Sequence, residues 1–145
     1  MQFQGTIQFA AGQTAVWHTL TNPHIVSRCT PHLTGWAELP TNSQFQLQFT
    51  WGSGGSRVHI PLLLTWQNMT PPSLLEWCSE AQIGSTCLLM NGRFHLNATT
   101  PTTTQLTFAA ELDPPNKMLR QVIQSTAPRL LDNFFRCLKM SAEAV

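Results

Sequence analysis

Polar and apolar residues alternate from Gln2 to Phe9, with Phe3, Ile7 and Phe9 on one side and Gln2, Gln4, Thr6 and Gln8 on the other. This is the period of a half-buried strand. The alternation stops at Ala10-Ala11-Gly12, and from Gln13 to Leu20 the apolar residues Val16, Trp17 and Leu20 fall at helical spacing. Thr21-Asn22-Pro23 ends that helix, because the residue before a proline avoids the helical region. Pro23 then opens a second short helix, through about Arg28. After Pro31 the strand pattern returns. It is cleanest from Ser43 to Trp51, where Phe45, Leu47, Phe49 and Trp51 face one way and Gln44, Gln46, Gln48 and Thr50 the other. Gly52-Ser53-Gly54-Gly55 predicts a turn. Strands are expected over Val58 to Gln67, Leu74 to Ala81, Ser85 to Ala98 and Gln105 to Leu112. They are separated by Thr70-Pro71-Pro72-Ser73, Gln82-Ile83-Gly84 and the Thr/Pro-rich stretch Thr99 to Thr104. Successive hairpins of this kind form an antiparallel meander.

From Pro115 to about Met140 the period becomes helical. Leu119, Val122, Ile123, Leu130, Leu131, Phe134, Phe135 and Leu138 form an i, i+3, i+4 stripe, and Arg120, Gln124, Asp132, Arg136 and Lys139 lie away from it. A helix of about 25 residues is roughly 37 Å long. Pro128 lies inside it and is expected to kink it, having no backbone donor and clashing with the preceding turn.

The chain has 145 residues, 42% of them hydrophobic and 10% charged, which suits one domain (1–145) with one core. A net charge of +1 gives no basic excess for phosphate contacts, so nucleic acid is not an expected partner. The N-terminal segment lacks the basic start and continuous apolar core of a signal peptide, and no run reaches the length of a membrane span. Cys29, Cys78, Cys87 and Cys137 are widely spaced and read as reduced thiols in a cytoplasmic protein.

Several local motifs occur in a definite order: F-x-G-T-I at Phe3 to Ile7, AVWHTLTNP at Ala15 to Pro23, and Cys29-Thr30-Pro31 after the second short helix. They are followed by Thr70-Pro71-Pro72, TQLTF at Thr104 to Phe108 and APRLLDNFF at Ala127 to Phe135. In that order and spacing the chain resembles the SRPBCC superfamily (START-like, polyketide cyclase-like), and within it most the carbon monoxide dehydrogenase G-type subunits. The resemblance implies an α+β helix-grip fold. A curved antiparallel sheet of about seven strands would wrap round a long C-terminal helix, with two short helices after the first strand sealing one end. The chain departs from that group at Pro31-His32, where its members usually read Pro-Gly, and at Asp113-Pro114-Pro115-Asn116, which replaces a glycine-rich approach to the last helix. Some relatives carry a further membrane-directed tail. This sequence ends at SAEAV, and no tail-borne membrane contact is expected.

In such a fold the concave sheet face and the inner side of the last helix enclose a pocket. Strand parity places Phe45, Leu47, Phe49, Ile60, Leu62, Leu64, Leu75, Trp77, Met90, Phe94 and Phe108 on the concave side. Leu119, Val122, Ile123, Leu130 and Phe134 lie opposite, on the helix. These are the candidate ligand-binding residues, nearly all apolar, as small-molecule pockets are. His59 and His95 share parity with Arg57 and Arg93 and point to the convex face, and His18 lies off the apolar side of its helix. His24, Cys29 and His32 are suitable zinc ligands but show no close ligand pair and no fourth member, so no metal is expected. Cys78 and Cys87 come nearly opposite each other if their hairpin turns tightly, and a disulfide there is conceivable, with free thiols the expectation. The acids Glu38, Glu76, Glu80, Glu111, Asp113, Asp132 and Glu143 are all expected on convex faces, at turns or on the outer side of the helix. A catalytic residue and a cofactor are therefore not expected.

These readings favour a non-enzymatic binding protein for a hydrophobic small molecule. The resemblance implies a quinone, isoprenoid or lipid, exchanged with a redox enzyme complex or in transient membrane contact. An accessory partner of a molybdenum hydroxylase-type complex is the alternative, and a cyclase or hydrolase the third. Lys117, Arg120, Arg129, Arg136 and Lys139 give the last helix five of the chain's eight cations, a solvated face or a docking surface. A fully packed interior would contradict the leading reading.

Overall fold

The computed structural model describes residues 1–40, 43–51 and 57–144. Strand β1 (Gln2–Phe9) is followed by α1 (Gln13–Thr21) and α2 (Pro23–Cys29). Then come β2 (Leu33–Glu38), β3 (Gln44–Trp51), β4 (Val58–Thr70), β5 (Leu74–Ile83), β6 (Thr86–Thr100), β7 (Thr103–Leu112) and the helix α3 (Lys117–Glu143). The glycine-rich turn expected at Gly52 to Gly55 lies outside the described residues.

The seven strands form one sheet in the order β1-β7-β6-β5-β4-β3-β2, every pairing antiparallel. Five consecutive hairpins build β2 to β7 as a meander, and β1 returns to pair with β7. The connection from β1 to β2 therefore runs from one sheet edge to the other, and α1 and α2 are that connection. Asn22 carries the junction between them: it is the C-cap of α1, and its side chain accepts from the His24 amide to cap α2, with Pro23 in the first turn. Irregularities in register between Leu33 and Gly35, Trp66 and Asn68, and Ala98 and Thr100 bend the strands around the helix. The β6–β7 hairpin is longer than its Thr/Pro composition suggests, the strands running to Thr100 and resuming at Thr103.

α3 is capped by the Asn116 side chain, which accepts from the Leu119 amide at 2.8 Å. It is helical through Pro128. One turn earlier, the Ser125 and Thr126 hydroxyls both donate to the Val122 carbonyl, at 3.0 and 2.7 Å. The C-terminal half of α3 lies on the main core, in which Phe9, Val16, Leu20, Leu75, Leu96, Leu106, Phe135, Leu138 and Ala142 are all buried. Phe135 is its hub, stacked on Phe108 at 4.7 Å and edge-on to Phe94 and Phe134. A second cluster of Ala81, Leu88 and Leu112 lies under Ile123.

Two cysteines depart from the expected reduced state. Cys29, at the end of α2, and Cys137, in the last third of α3, form a disulfide across 108 residues of sequence. The fold brings α2 against α3, and their Cα atoms lie 5.3 Å apart, within bridging range. Cys78 and Cys87 remain free. They are not opposite each other, since Cys78 pairs with Asn91 and Cys87 with Gln82.

Candidate functional site

The strand registers set the inner face residue by residue. One row across the sheet reads Phe45, Leu64, Ser79, Met90, Leu112, and the next reads Trp36, Leu47, Leu62, Ala81, Leu88. On the other side of the first row lie Trp66, Trp77, Gly92, Ala110 and Phe3, then Leu75, Phe94, Phe108 and Gly5. Phe49 pairs with Ile60 near the glycine-rich turn. All the strand positions expected on the concave side therefore share one face.

Two glycines shape that face. A Cβ on Gly92 would lie 2.5 Å from Cζ2 of Trp77, and one on Gly5 would lie 2.8 Å from Cε1 of Phe108. The indole and the phenyl ring thus lie flat along the sheet, over neighbouring strands that have no side chain there, instead of standing up into the interior. Alternating large and absent side chains in this way keeps aromatic surface on the floor, where Phe135 stacks on Phe108.

The interior divides into a sealed part and an incompletely filled part. Leu75 has no exposed surface and belongs to the main core. Phe94, Phe108 and Phe134 pack against that core and Ile60, Leu62, Met90 and Ile123 against the second cluster, each half-buried. Leu47, Phe49, Leu64, Trp77, Leu119 and Leu130 are also half-buried, and Phe45 is buried. Val122 contradicts its expected place: it is 51% exposed, beside Met118 at 77%. The helical stripe is wider at this end than the surface the sheet offers it, so Leu119 and Ile123 turn inward and Val122 outward.

A cavity of about 40 Å³ opens between the short helices and the β2–β4 wing. Leu20, Pro23 and Val26 of α1 and α2 face Trp36, Phe45, Leu47, Leu64 and Trp66 across it, with Leu33 and the hydroxyl-bearing Thr21, Ser27 and Thr30 completing the wall. Phe45, Leu47 and Leu64 were legible as candidates. Trp66, missed by the sequence reading, has the same parity as Ile60, Leu62 and Leu64 and could have been found by extending that count one step. Leu20, Val26 and Trp36 carried no such signal, because the chain brings the short helices over the far edge only in three dimensions.

The acids are exposed or, for Glu76, half-buried, and Asp113 and Asp132 pair with Arg120 and Arg136 at 3.6 and 2.6 Å. Glu38 corrects one expectation: it pairs with Phe45 in register, so it lies on the inner side, at the exposed end of the edge strand. His59 is on the outer face, in contact with Thr50 Oγ1 at 3.1 Å. His24 meets the edge of Trp36 and His32 stacks on Trp51, so neither shares a site with Cys29. His32 has φ 65°, the left-handed region that the glycine at this place in the resembled group would enter freely. An open trough of about 740 Å³ runs over β1, β7, β6 and β5, lined by the outward-facing Gln2, Gln4, Glu76, Glu80, Arg93 and Glu111 together with Trp77, Ser79, Met90 and Gly92 of the inner rows. Polar and apolar surface share its wall about equally, unlike the mostly apolar cavity by the short helices.

With this geometry the chain has the START-like helix-grip fold, a seven-stranded antiparallel sheet closed by a long C-terminal helix. No family model and no curated protein sequence matches it. Solved structures do. A conserved protein from Geobacillus kaustophilus superposes with a TM-score of 0.86 at 17% identity, covering 98% of this chain and 95% of that one. An aromatase/cyclase from Streptomyces sp. R1128 gives 0.73 at 12% identity over 99% and 93%. A START superfamily protein from Mycobacterium smegmatis gives 0.69 at 14% identity over 99% and 97%. At these identities the likeness is one of fold.

Proposed function

We propose that this protein is a non-enzymatic carrier of a hydrophobic small molecule, held between the sheet and α3. The observation that carries the reading is the inner face itself: apolar rows across the sheet, two aromatic rings laid flat on glycines, and half-buried side chains over the β3–β4 wing. The cavity of about 40 Å³ holds only a water or two. A ligand therefore enters by parting α2 from β3 and β4, filling space that the side chains now share. Burying about 300 Å² of apolar ligand surface contributes roughly 7 kcal/mol before ordering costs, enough to drive that rearrangement. The motif resemblance to the carbon monoxide dehydrogenase G-type subunits supports a quinone, isoprenoid or lipid as the cargo and a redox enzyme as its recipient. No helix among the described residues is long and apolar enough to cross a membrane, so delivery would be by transient contact. The Cys29–Cys137 disulfide removes the thiol argument for a cytoplasmic setting, since such bridges persist in oxidising compartments.

The test is binding of Nile red to delipidated protein. One equivalent bound by the wild type and none by Leu64→Trp, at unchanged melting temperature, supports a carrier; no binding by the wild type removes the reading. The accessory-partner reading is favoured by the open trough and by the cations of α3. Leu64→Trp separates the two, because a surface-acting protein keeps its function when the interior is filled.

A further inference from the structure

Two polar atoms on the inner rows of β5, one strand over from the cavity wall at Leu64 and Trp66, have no hydrogen-bond partner among the described residues: Nε1 of Trp77 and Oγ of Ser79. Buried polar groups are almost always paired, and each exception calls for a physical reason. Ser79 is only 3% exposed. Both residues belong to β5 and lie two positions apart on its inner face, about 7 Å along the strand. Their surroundings offer nothing in exchange. Ser79 is flanked in register by Leu64 and Met90, and Trp77 by Trp66 and Gly92, with Phe94 tilted against the indole at 6.5 Å.

Resting on the carrier reading, we propose that Trp77 and Ser79 are the polar recognition point of the site and that its ligand is a neutral molecule with an acceptor oxygen, a carbonyl in an otherwise apolar compound. The indole N–H can only donate and the serine hydroxyl can donate, so the complementary atom is an acceptor. It is uncharged, because every Lys and Arg is exposed except Arg120, which is paired with Asp113; a carboxylate at Ser79 would be buried without a counter-ion. The flat seat of the indole on Gly92 holds its N–H at floor level. Met90, directly across from Ser79 and half-buried, is the flexible side chain that moves aside for the oxygen.

The experiment compares 2-decyl-1,4-benzoquinone, decylbenzene and decanoate by equilibrium dialysis against wild type, Ser79→Ala and Trp77→Phe. The wild type is expected to bind the quinone about tenfold tighter than the hydrocarbon, the worth of about one net hydrogen bond. Decanoate should bind weakest. Ser79→Ala should erase most of that preference, weakening the quinone far more than decylbenzene; Trp77→Phe, which also trims apolar surface from the floor, should weaken both probes and narrow the ratio between them. Ser79→Ala replaces an unpaired hydroxyl by an apolar group and keeps the melting temperature, so it decides the matter even where Trp77→Phe folds poorly. Equal binding of quinone and hydrocarbon, a preference that survives Ser79→Ala as water-filled polar atoms would give, or a preference for decanoate overturns the inference and leaves the carrier reading standing. Failure of all three probes to bind overturns both.

Discussion

Breaking the Cys29–Cys137 disulfide should remove a large share of the protein's stability. The bridge closes a loop of 108 residues. In the chain-entropy model, cross-linking a loop of that length costs the unfolded chain about 16 cal/mol/K, or about 4.8 kcal/mol at 25 °C. A domain of this size shifts by about 2–4 °C per kcal/mol, so the double variant Cys29→Ala, Cys137→Ala should melt roughly 10–20 °C lower. Thiol labelling of the unfolded chain provides the chemical assay. Without reductant only Cys78 and Cys87 should react, and after reduction all four cysteines. Because α2 supplies Pro23, Val26 and Ser27 to the cavity wall, the untethered protein should also exchange a bound dye faster. Four reactive thiols before reduction, or a melting temperature indifferent to reductant, would show that no bridge ties α2 to α3.

Three further substitutions probe other links. Phe135→Ala empties the hub between Phe94, Phe108 and Phe134 and should cost about 3–5 kcal/mol in urea denaturation; a loss below about 1 kcal/mol would show that α3 does not rest on this ring. Gly92→Ala drives a methyl into the Trp77 indole and towards the Ala109 carbonyl, 2.8 Å away, for a cost of about 1–3 kcal/mol and an altered near-UV dichroism. Gly35→Ala, whose nearest heavy atom is 3.9 Å away, serves as the control and should show neither effect. Asn116→Ala removes the cap of α3 and should cost about 1 kcal/mol, read in the same denaturation series, with no change in dye stoichiometry.

Much of the architecture was legible because its signals are local. The alternation in β1 and β3 gave both the strands and their faces, and Asn22-Pro23 fixed the break between the two short helices. The parity count put Phe45, Leu64 and Trp77 on one face because period two survives any twist of the sheet, although the bulge after Trp66 would have misled it further along β4. What escaped depends on distant parts of the chain. Cys29 and Cys137 are joined only once α2 packs on α3. Val122 fitted the helical stripe, but the stripe's period does not say how far the sheet extends beneath it. The pairing of Gly92 with Trp77 and of Gly5 with Phe108 needs the register of neighbouring strands, and with it comes the shape of the floor. The two unpaired polar atoms on β5 likewise show only when every neighbour is placed.

If the interior is a site for cargo, the protein carries that cargo when isolated from the cell. Purifying the protein from its native source, extracting it with organic solvent and analysing the extract by mass spectrometry tests this most directly, with Leu64→Trp as the control. A stoichiometric neutral, oxygen-bearing hydrophobic compound is expected from the wild type and none from the variant. The same extract from both proteins, or no enriched compound from either, would contradict it.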